Sequence, residues 1–410
     1  MAGTIRTDVR VIIGFAESFS APEVAWSLVS CGFEVLSFAR RGSRAALRVS
    51  RYATVFDLTP PEDDAQAAVR DLQAELELLG RDQNVKLILL PLDDASVWMC
   101  AQLPAGERLA VIGPGPAKVD FALDKNSQIA AARECGFRVP ETLLTHAGDG
   151  VDFPKLRYPI IVKPARAISF SSGKLGRDRF HACVNETELH SALQTYAPGT
   201  PLLLQEYIAG TGEGLFGLAA QDGVCAWSAH RRIRMMNPHG SGASACVSIT
   251  PNADDLAAGT RLISQVAWRG LFMVELLRDA AGKTWFVEFN GRVWGSTALA
   301  RRCGLEYPAW AVLDAIGEGQ AVPKKPSIHP GVICRHAGRE AAHGLFVLRG
   351  ARSRSAVKWP SRWKTLKELL MFRTSDHWYN WKREDWRVFV ADFVVTLRGV
   401  IIKKRHKQQT

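Results

Sequence analysis

The stretch VEFNGRVWGS, Val287 to Ser296, sets Glu288, Asn290 and Arg292 two positions apart. Side chains on a β-strand alternate between faces, so these three converge on one side while Val287 and Phe289 supply a packing side. Upstream, LFMVELLRD (Leu271 to Asp279) reads as a second strand, and AAGKT (Ala280 to Thr284) as the turn that joins the two into a hairpin. That hairpin sets Glu275 beside Glu288 in an apolar setting. Two carboxylates in a partly dry cleft repel unless a cation bridges them. Mg²⁺ suits the role, since it takes oxygen ligands from one or two carboxylates together with substrate phosphates. Asn290 adds a neutral oxygen, and Arg292 can meet an anion at the edge of the metal site.

A chain of 410 residues exceeds one core and implies several domains. From Val9 to about Gly115 apolar strands alternate with helical stretches: VRVIIGF, a helix from about Ala21, EVLSFAR, a charged helix around Asp64 to Leu79, VKLILLPLDD and LAVIGPG. That alternation predicts a doubly wound parallel sheet over residues 1–120. Ligands of such sheets lie beyond the carboxyl ends of the strands, where Gly14, Glu17, Ser18, Asp93 and Asp94 fall. No GxGxxG is present, so no dinucleotide site is inferred. A helix is expected from after Asp124 to Gly136, then a buried strand carrying Lys163. PLLLQEYIAG follows, and then antiparallel strands around a QDG turn.

Hydrophobic residues make up 47% and charged residues 23%, values of a soluble globular protein. Eight cysteines are scattered without CxxC pairs or metal-ligand spacing, the usage of a reducing compartment such as the cytoplasm. The first apolar run reads as a strand and not as a secretory signal, and no run reaches membrane-spanning length.

Four features occur in order: a lysine beside an aspartate at a helix start (Lys125), a lysine ending a buried strand before proline (Lys163), the run Glu206-Tyr207-Ile208, and Glu275 followed by Glu288-x-Asn290-x-Arg292. Together they resemble the ATP-grasp superfamily of carboxylate-amine ligases and the large chain of carbamoyl-phosphate synthase. The likeness covers roughly Phe121 to Gly317 in detail. It implies an α/β plus α+β chain: a pre-ATP-grasp doubly wound domain (1–120), a two-lobed ATP-grasp domain (121–330, lobes about 121–204 and 205–330), and a basic helical C-terminal segment (331–410). By the resemblance Lys125 and Lys163 contact the phosphates of ATP, and Glu206, Tyr207 and Ile208 form the hinge that pairs adenine through its backbone. Glu213 matches the acid that accepts the ribose hydroxyls. Glu275, Glu288 and Asn290 match the Mg²⁺ ligands, and Arg292 the catalytic residue that steadies the transferred phosphoryl group. In place of a glycine-rich phosphate loop stands ARAISFSSGKLG, with only two glycines.

HRRIRMMNPHGSGASACVSIT (His230 to Thr250) puts His230, Arg232 and Arg234 at period two, followed by a loop of small residues. Guanidinium groups so spaced suit a carboxylate, and similar runs in the family bind the acceptor acid. His239 is thereby a catalytic candidate and Ser241 a substrate contact; a solvated strand with a loose loop is the plainer alternative. Trp294 and Ser296 follow Arg292 and are candidates for the pocket lining or for packing at the hairpin end.

The expected reaction is an ATP- and Mg²⁺-dependent ligation of a small carboxylate to an amine through an acyl phosphate. Phosphorylation of bicarbonate or carbamate, and a nucleotide-binding scaffold without turnover, are the alternatives. Residues 351–410 hold 15 Lys and Arg against 5 Asp and Glu, 15 − 5 = +10 of the total +11, so the body gives no reason to expect nucleic-acid binding. The segment also carries Trp359, Trp363, Trp378, Trp381 and Trp386, and an apolar stripe, Trp386, Phe389, Val390, Phe393, Val394, Leu397 and Ile401, before KKRHK. Two readings fit: a helix lying on an anionic membrane as a peripheral contact at its inner face, or a helix packed on the enzyme.

Overall fold

The computed structural model describes residues 6–405, apart from 105, 107, 150–156, 222, 239, 241, 324–328, 352–358, 372 and 374. Three sheets carry the architecture. The first contains β1 (Val9–Gly14), β2 (Glu34–Arg40), β3 (Thr54–Leu58), β4 (Lys86–Pro91) and β5 (Leu109–Val111), all parallel in the order β3-β2-β1-β4-β5. Helices α1 (Ala21–Ser30), α2 (Ala65–Leu79) and α3 (Asp94–Ala101) cover its faces. Burial on both faces is why β1 and β4 read as continuous apolar runs. The strand order reverses between β1 and β4, which opens a crevice at their carboxyl ends.

After α4 (Pro116–Leu123) and α5 (Lys125–Glu134), the small lobe pairs β6 (Thr142–His146), β7 (Ile160–Pro164), β10 (His181–Cys183) and β11 (Pro201–Glu206) into an antiparallel sheet beside α6 (Glu186–Leu193). Between β7 and β10 a hairpin, β8 (Ser169–Ser171) and β9 (Lys174–Gly176), turns at Ser172 and Gly173, both with positive φ, 50° and 77°. Two such residues are what a tight hairpin turn matching strand twist requires.

The large lobe is a seven-stranded sheet. Its strands are β12 (Gly210–Ala220), β13 (Gly223–Met235), β14 (Ala243–Ile249), β15 (Gly270–Asp279), β16 (Thr284–Asn290), β17 (Ile333–Arg335) and β18 (Asp376–Trp378), ordered β16-β15-β12-β13-β14-β17-β18. Helix α7 (Ala253–Gln265) joins α5 on one face. On the other face α8 (Thr297–Arg302) and α9 (Tyr307–Ala315) share a core with α1 and β1, in which Ile13, Leu28, Trp294, Tyr307 and Cys334 are buried together. The first domain and the large lobe are thus welded through one apolar interior.

The C-terminal segment is not an appended tail. It supplies β17 and β18 to the central sheet, with α10 (Ala337–Arg349) and α11 (Arg362–Leu370) between them and α12 (Trp386–Arg405) after them. The stripe expected on α12 is divided: Val388 is buried with Trp26 and Ala46, Phe389 packs on Trp378 and Trp381, and Trp386, Val390 and Val394 stay exposed. Just before the helix Asp385 accepts from Trp26 Nε1 (2.9 Å), Ser50 Oγ (2.6 Å) and the Arg51 amide (3.1 Å). Asp392, within the helix, turns inward to His336 and Asn380. The helix is therefore docked on the protein, because its acids find buried donors there. The Ile401 side chain and residues 406–410 lie outside the described residues. Among the described residues no helix is long and apolar enough to cross a membrane.

Candidate active site

A cavity of about 350 Å³ opens where the β1–β4 crevice meets the large lobe. Ser18 and Asp93 reach it from the first domain, His230 and Arg232 from β13, Glu275 from β15, and Glu288, Asn290 and Arg292 from β16 and its end. The hairpin register pairs Glu275 directly with Glu288. The hairpin brings the two acids together as its short turn predicts, and a bulge between Glu275 and Leu276 sets the direct pairing, since the register carried from Arg278 and Thr284 would place Val287 there. Gly291 lets the Trp268 ring pack directly on the end of β16, since a Cβ there would stand 2.2 Å from that ring.

Within the cavity, Arg232 Nη2 lies 2.7 Å from Glu275 Oε1. Glu288 Oε1 accepts from Asn290 Nδ2 at 3.1 Å, and its Oε2 is 4.0 Å from Lys125 Nζ. Arg292 donates through Nη2 to Asn290 Oδ1 (3.1 Å) and through Nε to Asp94 Oδ1 (2.6 Å). Burial alone would raise the Glu288 carboxyl, but Lys125 and Lys163 outweigh it and hold the group below its usual range. Asp94 is likewise kept low against its burial by Arg292. Both acids are thus carboxylates, ready to meet cations.

Local structure places these charges. Asp124 caps α5 by accepting from the Asn126 and Ser127 amides (2.8 and 3.3 Å), which sets Lys125 as the first helical residue. Asp93 caps α3 in a reciprocal box with Ser96, so Asp94 opens that helix toward Arg292. Lys163, on β7, donates to Gln205 Oε1 at 2.8 Å, and burial brings its pKa down to about 8. The hairpin tip that replaces a glycine-rich loop is docked on the first domain. Its Gly173 carbonyl accepts from the Ala65 amide (2.8 Å), the Leu175 amide donates to the Pro61 carbonyl (2.8 Å), and Phe170 stacks on Trp98 at 5.5 Å between centroids.

Not every expected residue arrives. Glu213 is 3% exposed and is gripped by Arg231 (2.7 Å) and Arg278 (2.7 Å) from the neighbouring strands, so its oxygens are occupied by guanidinium groups. Arg234 leaves the face shared by His230 and Arg232 because two register shifts fall between Arg232 and Met235. It pairs with Glu340 and Glu368 (3.1 Å). Glu206, Tyr207 and Ile208 sit at the small-lobe edge, away from the cavity. The Glu206 amide donates to Glu141 (2.9 Å) and that of Tyr207 to Pro159 (3.2 Å). His239 and Ser241 lie outside the described residues.

Trp294 and Ser296 do line the cavity. Ser296 Oγ meets His230 Nδ1 at 2.6 Å, and Trp294 stacks on Phe216 at 4.6 Å. Sequence reasoning missed Phe19, Tyr379 and Arg339, which reach the cavity from the two ends of the chain. No local pattern marks them.

The donor set fits Mg²⁺. Two carboxylates and a carboxamide share one wall, and they are hard oxygen ligands. Among the described residues no group of three or more His, Cys, Asp or Glu gathers to hold a metal. An ion here would therefore draw its remaining ligands from water and phosphate.

No family model matches the chain, and none of the curated proteins matches it. Several solved structures do. The L-amino acid ligase of Bacillus licheniformis is 16% identical, with 80% of this chain and 78% of that chain covered at a TM-score of 0.57. An ADP complex of N5-carboxyaminoimidazole synthetase from Staphylococcus aureus is 14% identical, covers 80% and 81%, and scores 0.57. Biotin carboxylase of Campylobacter jejuni with an ATP analogue is 15% identical, covers 80% and 74%, and scores 0.58. Likeness at this level of identity establishes a shared fold.

Proposed function

We propose, from the premise that this chain has the ATP-grasp fold, that it is an ATP- and Mg²⁺-dependent ligase joining a carboxylic acid to an amine. The carrying observation is the hairpin wall: Glu288 held ionised between Lys125 and Lys163, Glu275 beside it, and Arg292 anchored by Asp94. Glu275, Glu288 and Asn290 would hold Mg²⁺, which supplies neutralisation of phosphate charge when bound.

A carboxylate oxygen of the acid attacks the γ-phosphorus, and the bond to the ADP oxygen breaks. The amine nitrogen then attacks the acyl carbon, phosphate departs, and a proton is released. Arg292 is positioned by Asp94 to neutralise charge on the transferred group, and Lys125 and Lys163 serve the nucleotide phosphates. In this reading the protein orients and neutralises, because the acyl phosphate carries its own activation. His230 and Arg232 belong to the acceptor pocket. His239 and Ser241 remain candidates there, and the hinge and Glu213 remain candidates for the adenosine end. Eight free thiols fit a reducing compartment.

The test is ADP release by the purified chain with ATP and Mg²⁺ against pairs drawn from a panel of carboxylic acids and amines. Release that requires both partners, with one phosphate per amide formed, is the expected result. Release with bicarbonate alone would favour the alternative, and none with any pair would refute the ligase reading.

A further inference from the structure

Charges around the cavity are unevenly matched. Arg232 meets Glu275 at 2.7 Å and Arg292 meets Asp94 at 2.6 Å, so each of those guanidinium charges has a carboxylate. Besides Arg177, which is exposed, Arg339 from α10 lines the same cavity without such a partner among the described residues. Its Nη1 donates to the Ala243 carbonyl at 3.0 Å, and its guanidinium lies 3.6 Å from the centroid of the Phe19 ring. The nearest acid acting on it, Asp392, is already engaged by His336 and Asn380. Arg232 is close enough to oppose its charge. Gly242 clears space for the group, since a Cβ there would stand 2.8 Å from Nη1.

Two further polar atoms of cavity-lining residues are orphaned. His230 Nε2 and Trp294 Nε1 are buried without a hydrogen-bond partner, although His230 is anchored through Nδ1 to Ser296. Buried polar atoms are seldom left so, and orphans beside a ligand cavity are the groups a ligand completes. An unneutralised guanidinium with unpaired ring nitrogens nearby has the chemistry that receives a carboxylate.

We propose that Arg339 anchors a subsite for a carboxylate other than the one phosphorylated, so that the substrates include one bearing a free carboxylate beside its reacting group. This rests on the ligase reading above and names its substrate class. Two sources share that chemistry: an α-amino acid serving as the amine, or a dicarboxylate serving as the acid. Arg339 comes from α10, apart in the chain from Arg292 and the hairpin carboxylates to which the ligase reading gives phosphoryl transfer, and so suits the group that survives the reaction.

The test separates binding from turnover. The full chain with Mg²⁺ and ADP is titrated calorimetrically with the common α-amino acids and short dicarboxylates, each beside its primary amide. The expected result is at least one free acid bound about tenfold or more tightly than its amide. Arg339→Gln should abolish that preference, Arg339→Lys should restore part of it, and ADP affinity should be unchanged in both. Preference confined to amino acids identifies the amine as the source, and preference confined to dicarboxylates identifies the acid. Equal binding of acids and amides by the wild type, or a preference that survives Arg339→Gln, overturns the subsite. Loss of ADP affinity in both variants overturns it as well, since it would place Arg339 in nucleotide binding or folding. Acid-selective binding without ADP release from ATP would sink the ligase reading and leave the subsite standing.

Discussion

The cavity is lined by two kinds of wall. One is the β15–β16 hairpin, where Glu275, Glu288, Asn290 and Arg292 come from a single short stretch of chain. The other is assembled from Phe19 in the first domain, Arg339 on α10 and Tyr379 after β18. On the hairpin wall every charge has an internal partner and the acids stand ready for a cation. On the assembled wall a guanidinium faces the cavity with a carbonyl and an aromatic ring for company. On the proposed reading the contrast separates chemistry from recognition: the wall with balanced charges would serve phosphoryl transfer, and the one with a charge left over would select what is brought to it.

The largest expected effect tests the first half of that division. Glu288→Gln removes a metal charge at nearly constant volume, so turnover should fall below detection while the fold and carboxylate binding remain. ADP release and calorimetric binding of the acid, measured on the same preparation, check it. Full ADP formation at ordinary Mg²⁺ would remove Glu288 from the metal site. Loss of acid binding as well would show that the two walls are not separable.

The same division sorts what the sequence discloses. That Glu275 and Glu288 are neighbours is legible because a short turn joins their strands, but their direct pairing depends on a bulge between Glu275 and Leu276 that no local period marks. Arg234 misleads because register shifts between Arg232 and Met235 break the alternation on which its placement rests, and a bulge leaves little local signal. The ion pairs of Glu213 are hidden for another reason: Arg231 and Arg278 reach it across two strand pairings that only the assembled sheet creates. The doubly wound sheet is readable from its buried runs. The joining of β17 and β18 to the large lobe is not, since three-residue strands carry no usable period. The tryptophans and basic residues of the C-terminal segment fit both a helix on a membrane and one packed on the enzyme. The contacts that dock it, made by Asp385 and Asp392, are hidden because their donors lie far away in the chain.

A smaller effect is expected at Lys163, which serves the nucleotide in this division. Lys163→Met should weaken ATP binding by about 1.5–3 kcal/mol, the range for a hydrogen bond to a charged group. Burial brings the free lysine to about 8, below its ordinary 10.5, so the ammonium is lost as pH rises through about 8. Wild-type ATP affinity should therefore decline above that pH, with proton uptake on binding, and Lys163→Met should show neither. For stability the sign is opposite: the unfolded chain holds the proton more tightly between about 8 and 10.5, so wild-type stability gains from this group as pH rises across that window. Calorimetry in buffers of different ionisation enthalpy reads the uptake. Unchanged affinity in Lys163→Met would show that this lysine serves only Gln205.

The smallest effect concerns His230, on β13, which joins the two walls through Ser296. Burial, helped by Arg232, brings its pKa down to about 3 from an ordinary 6.5, so the imidazole is neutral in the folded protein at neutral pH. The unfolded chain takes up a proton at this histidine once pH falls below about 6.5, and the folded protein does not until near 3. Between those values the unfolded state binds more protons, so His230 supports stability above pH 6.5 and withdraws that support progressively as pH falls. Thermal unfolding of the wild type should thus lose ground from pH 7 to pH 4 more steeply than that of His230→Gln, which keeps a polar group near Ser296 but does not titrate. Measuring both melting temperatures across that range checks the difference. Parallel curves would mean that the ring is open to water, and the orphaned Nε2 would then be solvated and no longer part of the acceptor wall.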